Sequence, residues 1–148
     1  GTEDTEFNCR IYQKSCQAVI IDIPMYYWVQ RPTSITHQKV NPRYIDRADS
    51  YYLCLQNIPK ENTVYRGCCL EKLFKMMINV RYHASNTPYR HLAHLTAKRL
   101  KKQTANEFLK NRHIPFHIKL SLLSFYYIPP LYSGFMKLCE TKARKKHP

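Results

Sequence analysis

Two histidines three residues apart, His91 and His94, lie in a stretch that also holds His83, His113 and His117. They are the densest group of side chains here that could ligate a metal. Their neighbours oppose it: Arg90, Lys98, Lys101 and Lys102 share the same stretch, and a cationic face is a poor place for a dication. Nucleophilic chemistry needs a thiol or hydroxyl paired with an orienting base. None of the six cysteines, Cys9, Cys16, Cys54, Cys68, Cys69 and Cys139, stands at a spacing that selects such a partner. Asp46 and Asp49 come nearest to an acid–base couple, but Arg43 and Arg47 lie beside them, the pattern of a solvated, ion-paired helix face. No catalytic residue, metal or cofactor is expected, and the chain does not read as an enzyme.

What the sequence offers instead is positive charge. Lysine and arginine number 24 against 10 acids, a net charge of +14. Three of the acids, Glu3, Asp4 and Glu6, fall in the first few residues, so the rest of the chain is more basic still. A field of this sign favours an anionic partner: nucleic acid, anionic lipid or acidic glycoprotein. Twelve tyrosines add side chains that make apolar and hydrogen-bonding contacts together. Six cysteines with no CxxC pair fit an oxidising compartment better than a zinc site, with few thiols left free. The chain shows no initiator methionine and no apolar leader, as a mature secreted protein would. No stretch is long and apolar enough to span a bilayer.

The elements that position the basic residues can be read from periodicity. Residues 87–125 are expected to form two successive helices joined at Pro115, with the rest of the chain packed around them. In the first, Tyr89, Leu92, Ala93, Thr96, Ala97, Leu100 and Thr104 fall on one side at helical spacing, with Phe108 at its edge. That side is expected to face a core. Arg90, His91, His94, Lys98, Lys101 and Lys102 fall opposite and form a basic stripe whose helix carries a single carboxylate, Glu107. The second helix, residues 116–127, is apolar on almost every side, so it is either enclosed or exposed for use. Enclosure is the expected state. Tyr126, Tyr127 and Leu131, at its end and just beyond, are the apolar residues expected to remain available for contact.

The 3 glycines leave little material for tight hairpins or a phosphate-cradling loop, so the expected class is all-α. Residues 10–29 fit a helix interrupted at Pro24, with a strand over 18–23 as the rival reading and Trp28 as a core anchor. Residues 31–41 read as a loop, 43–56 as a helix, 57–66 as a second loop, and 67–82 as a helix with Leu70, Leu73, Phe74, Met77 and Ile78 inward. Residues 126–132, with Pro129 and Pro130, are not expected to be regular helix. The whole chain, 1–148, is expected to be one helical domain with loose tails at about 1–8 and 140–148.

One resemblance is visible in order and spacing. Tyr89, Leu92, Arg99-Leu100, Phe108-Leu109-Lys110 and Ile114-Pro115, preceded by Leu73-Phe74, Ile78 and Thr87-Pro88, are collinear with the abalone sperm lysin family. Gln38-Lys39, Tyr44, Arg47 and Trp28 are weaker echoes. The likeness covers residues 70–127 well. The cysteine set and the prolines at 24, 32, 42 and 59 depart from lysin proper, and the chain is more similar to the family's acrosomal, fusion-promoting branch. The resemblance implies a lysin-like bundle of about five helices, storage in the sperm acrosomal granule, and release as a secreted protein. It also implies non-enzymatic binding to the egg membrane, which promotes sperm–egg fusion. The implied partners are an anionic lipid surface or an egg-envelope glycoprotein, with a homodimer possible. The alternative within the family is non-enzymatic dissolution of the egg envelope. Outside it stands a basic RNA-associated structural protein, although nucleic acid is not the expected partner, since neither the cysteines nor the lysin-like pattern calls for it.

Overall fold

The computed structural model describes residues 42–146, of which 139–146 as backbone alone, and scattered positions between 7 and 23. The described chain is all-helical, with five helices and no strand: α1 Pro42–Asn57, α2 Thr63–Ala84, α3 Arg90–Lys110, α4 Phe116–Tyr127 and α5 Pro129–Lys146. The expected all-α bundle of about five helices is the observed fold. The helix, strand and loop readings for residues 10–41, with Trp28, lie almost wholly outside the described residues.

Local sequence sets the boundaries. Prolines open α1 and α5 and stand immediately before α4, where a missing N–H costs nothing and a fixed φ is already helical. Asn62 caps α2, its side chain accepting from the Tyr65 N–H at 3.1 Å. In the turn to α3, the Thr87 hydroxyl donates to the Ala84 carbonyl at 2.9 Å and accepts from the Tyr89 N–H at 3.2 Å. No described residue needs a positive φ to make these turns.

The hub is α2, not the 87–125 pair. It alone touches all four other described helices, and it buries Leu70, Leu73, Phe74, Met77, Ile78 and Val80 around its circumference. Facing it, α1 contributes Ile45, Ala48 and Leu55, and α3 contributes Ala93, Ala97, Leu100, Thr104 and Phe108. The alanines and threonines of α3 let the two backbones approach, while Phe74 and Phe108 stack at 3.9 Å between centroids and fill the far end. That stack sits wholly out of solvent. Close approach recurs at Gly67, where a Cβ would stand 3.0 Å from the Asn111 Oδ1. The Asn111 amide in turn donates to the Thr63 carbonyl at 2.9 Å, and its oxygen accepts from the His113 N–H at 2.9 Å, locking the end of α3 onto the start of α2.

α2 begins at Thr63, earlier than expected, so Arg66 lies in the helix rather than in a loop. It is 8% exposed. Its Nη1 donates to the Leu55 carbonyl at 2.8 Å and to the Ile58 carbonyl, and its Nε and Nη2 grip the Glu107 carboxylate, the latter at 2.8 Å. One guanidinium thus closes the end of α1, anchors α2 and holds α3. The other inter-helix pair, Arg99 with Asp49, is more open to solvent. There burial pushes the Asp49 carboxyl above its usual pKa, outweighing Arg99, and Asp46 pushes the same way. The acidic pair expected to face solvent beside Arg43 and Arg47 thus divides: Asp46 is exposed, whereas Asp49 is half-buried and pairs with Arg99 of another helix.

Three boundary expectations are corrected. Only Ile128 interrupts the helices between α4 and α5, because Pro129 and Pro130 occupy a first turn, where proline is tolerated. The segment 126–132 is therefore helical on both sides of a one-residue break. Residues 140–146, expected to be a loose tail, continue α5. The stretch 57–66 shortens to a connection of residues 58–62.

Candidate functional site

The basic stripe of α3 is present and faces outward. Arg90, His91, His94, Lys98 and Lys102 are exposed, and no described carboxylate pairs with any of them. Opposite them, Ala93, Thr96, Ala97, Leu100, Thr104 and Phe108 are buried as expected. Leu92 is not: it is 44% exposed, because its azimuth lies roughly 100° from the centre of the buried arc. Tyr89, the residue that precedes α3, is half-buried.

Lys101 departs from the stripe. Its ammonium lies 5.1 Å from the Tyr126 ring centre and 4.5 Å from that of Tyr127, and donates to the Tyr127 hydroxyl at 2.7 Å. Contacts of this kind stabilise by about 0.5–2 kcal/mol. From below, Arg81 stands 4.7 Å from the Tyr126 ring and donates to the Tyr126 carbonyl at 2.7 Å. Tyr126 is therefore buried, at 6% exposure, which corrects the expectation that it would be free for contact. That burial raises the pKa of its hydroxyl against the pull of the two cations. Tyr127 and Leu131 are 64% and 50% exposed, as a contact surface requires.

The expected enclosure of residues 116–127 does not occur. Only Leu122 and Tyr126 of α4 are buried, while Phe116 is 78% and Leu120 56% exposed. Phe116, Leu120, Leu123 and Tyr127 recur at helical spacing and form a second apolar stripe, its ends and middle open to solvent. It continues past the break into Ile128 and Leu131, each 50% exposed. Lys119 reaches back to the Leu109 carbonyl at 2.7 Å, closing the turn between α3 and α4. Large exposed apolar patches mark contact sites. This one adjoins the basic stripe at the Lys101–Tyr127 bond.

A cleft of about 1060 Å³ opens where the α2–α3 turn meets the α4–α5 break. Arg81, His83, Arg90, His91, His94 and Lys137 line it together with aromatic side chains, and no described carboxylate does. Sequence reading found Arg90, His91 and His94 but not that the chain folds Arg81 and Lys137 toward them. The histidine cluster of the sequence is split, since His113 sits at the other end of α3 against Thr63 and His117 lies on α4. No three potential ligands converge on a metal-sized site among the described residues. Cys68 is exposed and free; the side chains of Cys9, Cys16 and Cys139 lie outside the described residues. None of the described helices is long and apolar enough to cross a membrane. The chain matches no family model, no curated protein and no solved structure.

Proposed function

We propose that the protein is a non-enzymatic membrane-active protein that attaches to an anionic bilayer and promotes its fusion. The observation that carries this reading is the junction of two surfaces. A carboxylate-poor basic face on α3 meets an exposed apolar face on α4 and α5 at Lys101 and Tyr127. Cations near an anionic surface contribute about 1 kcal/mol each, and apolar side chains entering the interface add a hydrophobic term. Either alone gives weak attachment; adjoining each other, they act on one patch of lipid. Combined with the lysin-like pattern, this supports a secreted sperm protein of the acrosomal granule that binds the egg membrane and promotes sperm–egg fusion.

Lipid mixing between anionic vesicles tests the proposal. The protein is expected to mix lipids well above an unrelated soluble protein of equal charge, and equality with that control would refute it. Lys98→Gln with Lys102→Gln removes two solvated charges without touching Lys101, and should weaken attachment about 30-fold at low salt. The deficit should shrink as salt shortens the screening length. Dissolution of isolated egg envelopes without lipid mixing would favour the lysin activity, and tight salt-sensitive RNA binding the nucleic-acid one.

A further inference from the structure

Resting on the membrane reading, we infer that the cleft between the α2–α3 turn and the α4–α5 break is a binding pocket for a lipid headgroup carrying phosphate monoesters. Three observations converge on this chemistry. Apart from the phenols of Tyr82 and Tyr132, the titratable side chains lining the cleft are all cationic or imidazole, from three helices: Arg81 and His83 on α2, Arg90, His91 and His94 on α3, and Lys137 on α5. Fixed guanidinium and ammonium groups suit a compact, multiply charged oxyanion. The volume of about 1060 Å³ is far more than one ion fills and lies at the upper end of ligand-pocket sizes, so a ring bearing several phosphates fits better than free phosphate. Half-buried Tyr82, Phe125 and Tyr132 wall one side, with Tyr132 fixed by donating to the Asn79 carboxamide at 2.8 Å.

The rim decides between a lipid and a soluble ligand. Pro129 and Pro130 line the mouth and are exposed, and Ile128 and Leu131, each 50% exposed, flank them in the chain. A purely aqueous anion has no use for an apolar rim. A headgroup drawn into the cleft would set these side chains against the acyl boundary, continuous with the apolar stripe of α4.

The test compares vesicles of equal surface charge, one set carrying phosphatidylinositol bisphosphate and the other phosphatidylserine, all in phosphatidylcholine. The protein is expected to bind the first set about tenfold more tightly. Arg90→Gln with His94→Gln, two exposed positions that the cleft shares with the basic stripe, should abolish that preference, while binding to phosphatidylserine vesicles falls only about fivefold, the cost of one cation of the stripe. Soluble inositol trisphosphate should compete for the wild-type protein only. Equal binding to both vesicle sets, or a preference that survives in the double variant, overturns the pocket and leaves charge-driven attachment standing. Trisphosphate binding that the double variant loses, with no vesicle attachment at all, keeps the phosphate site and refutes the membrane reading.

Discussion

Arg66→Leu should lower folding stability by about 3 kcal/mol or more, a drop of roughly 10 °C in melting temperature for a chain of this size. The cost comes from what is left behind. Leucine fills much of the arginine's volume but donates nothing, so the Ile58 carbonyl loses its buried partner, at about 1–3 kcal/mol for an unsatisfied group, and the Leu55 carbonyl keeps only the Ile58 N–H at 3.3 Å. The Glu107 carboxylate loses its fork as well, although at 39% side-chain exposure it can turn to water. Glu107→Gln keeps an acceptor for the guanidinium and should cost only about 1 kcal/mol. Arg66→Lys should fall between the two, because one ammonium cannot span both the carbonyls and the carboxylate. Thermal and denaturant unfolding followed by circular dichroism gives the ranking. An Arg66→Leu protein as stable as wild type would show that these contacts do not form in solution.

Removing the outer apolar stripe should act on lipid and spare the fold. Phe116→Ser, Leu120→Ser and Tyr127→Ser together withdraw three side chains that are 78%, 56% and 64% exposed. Each gains only part of the 1.5–3 kcal/mol of full burial, so the triple variant should lose about 3 kcal/mol of membrane affinity, on the order of 100-fold. Lipid mixing should fall further than binding, since attachment by charge persists. At Phe116 and Leu120 substitutions should change stability by less than about 0.5 kcal/mol each, and loss of the Tyr127 ring forfeits its Lys101 contacts, worth about 0.5–2 kcal/mol, so the melting curve should move by only a few degrees. Unchanged vesicle partition in a folded triple variant would eliminate the apolar half of the proposed mechanism. Loss of helicity would instead mark the stripe as covered by another part of the protein.

The sequence shows α3 and α4 unequally well for one physical reason. On α3 alanines, threonines, Leu100 and Phe108 mark one side, so the phase is legible from Ala93 through Phe108 and the outward set from Arg90 to Lys102 follows, although Leu95 stands exposed within it. Leu92 escapes because a residue at the edge of an arc is assigned by only a small angle. On α4 nearly every side is apolar, and an unsegregated helix carries no sign of which half is buried; Tyr126 and Tyr127 are adjacent and identical, yet one is enclosed and the other open. Arg66 is invisible for a different reason. In a chain with 24 basic residues, nothing local separates the one that folds inward. The cleft depends on Arg81, Arg90 and Lys137 meeting from three helices, and only tertiary structure brings them together.

The position of α2 as hub divides the bundle unevenly. α1, α2 and α3 enclose one another and share the Arg66 clasp, whereas α4 and α5 lean on one flank of α2 and on each other. Cooperative units with less mutual burial open at lower free energy than the whole molecule. The outer pair is therefore expected to open at lower free energy than the inner three. Such an opening would uncover the inward side of α4, where Leu122 and Tyr126 are buried and Phe125 partly so. The Arg81–Tyr126 and Tyr132–Asn79 bonds tie this pair to α2 and hold those side chains out of water.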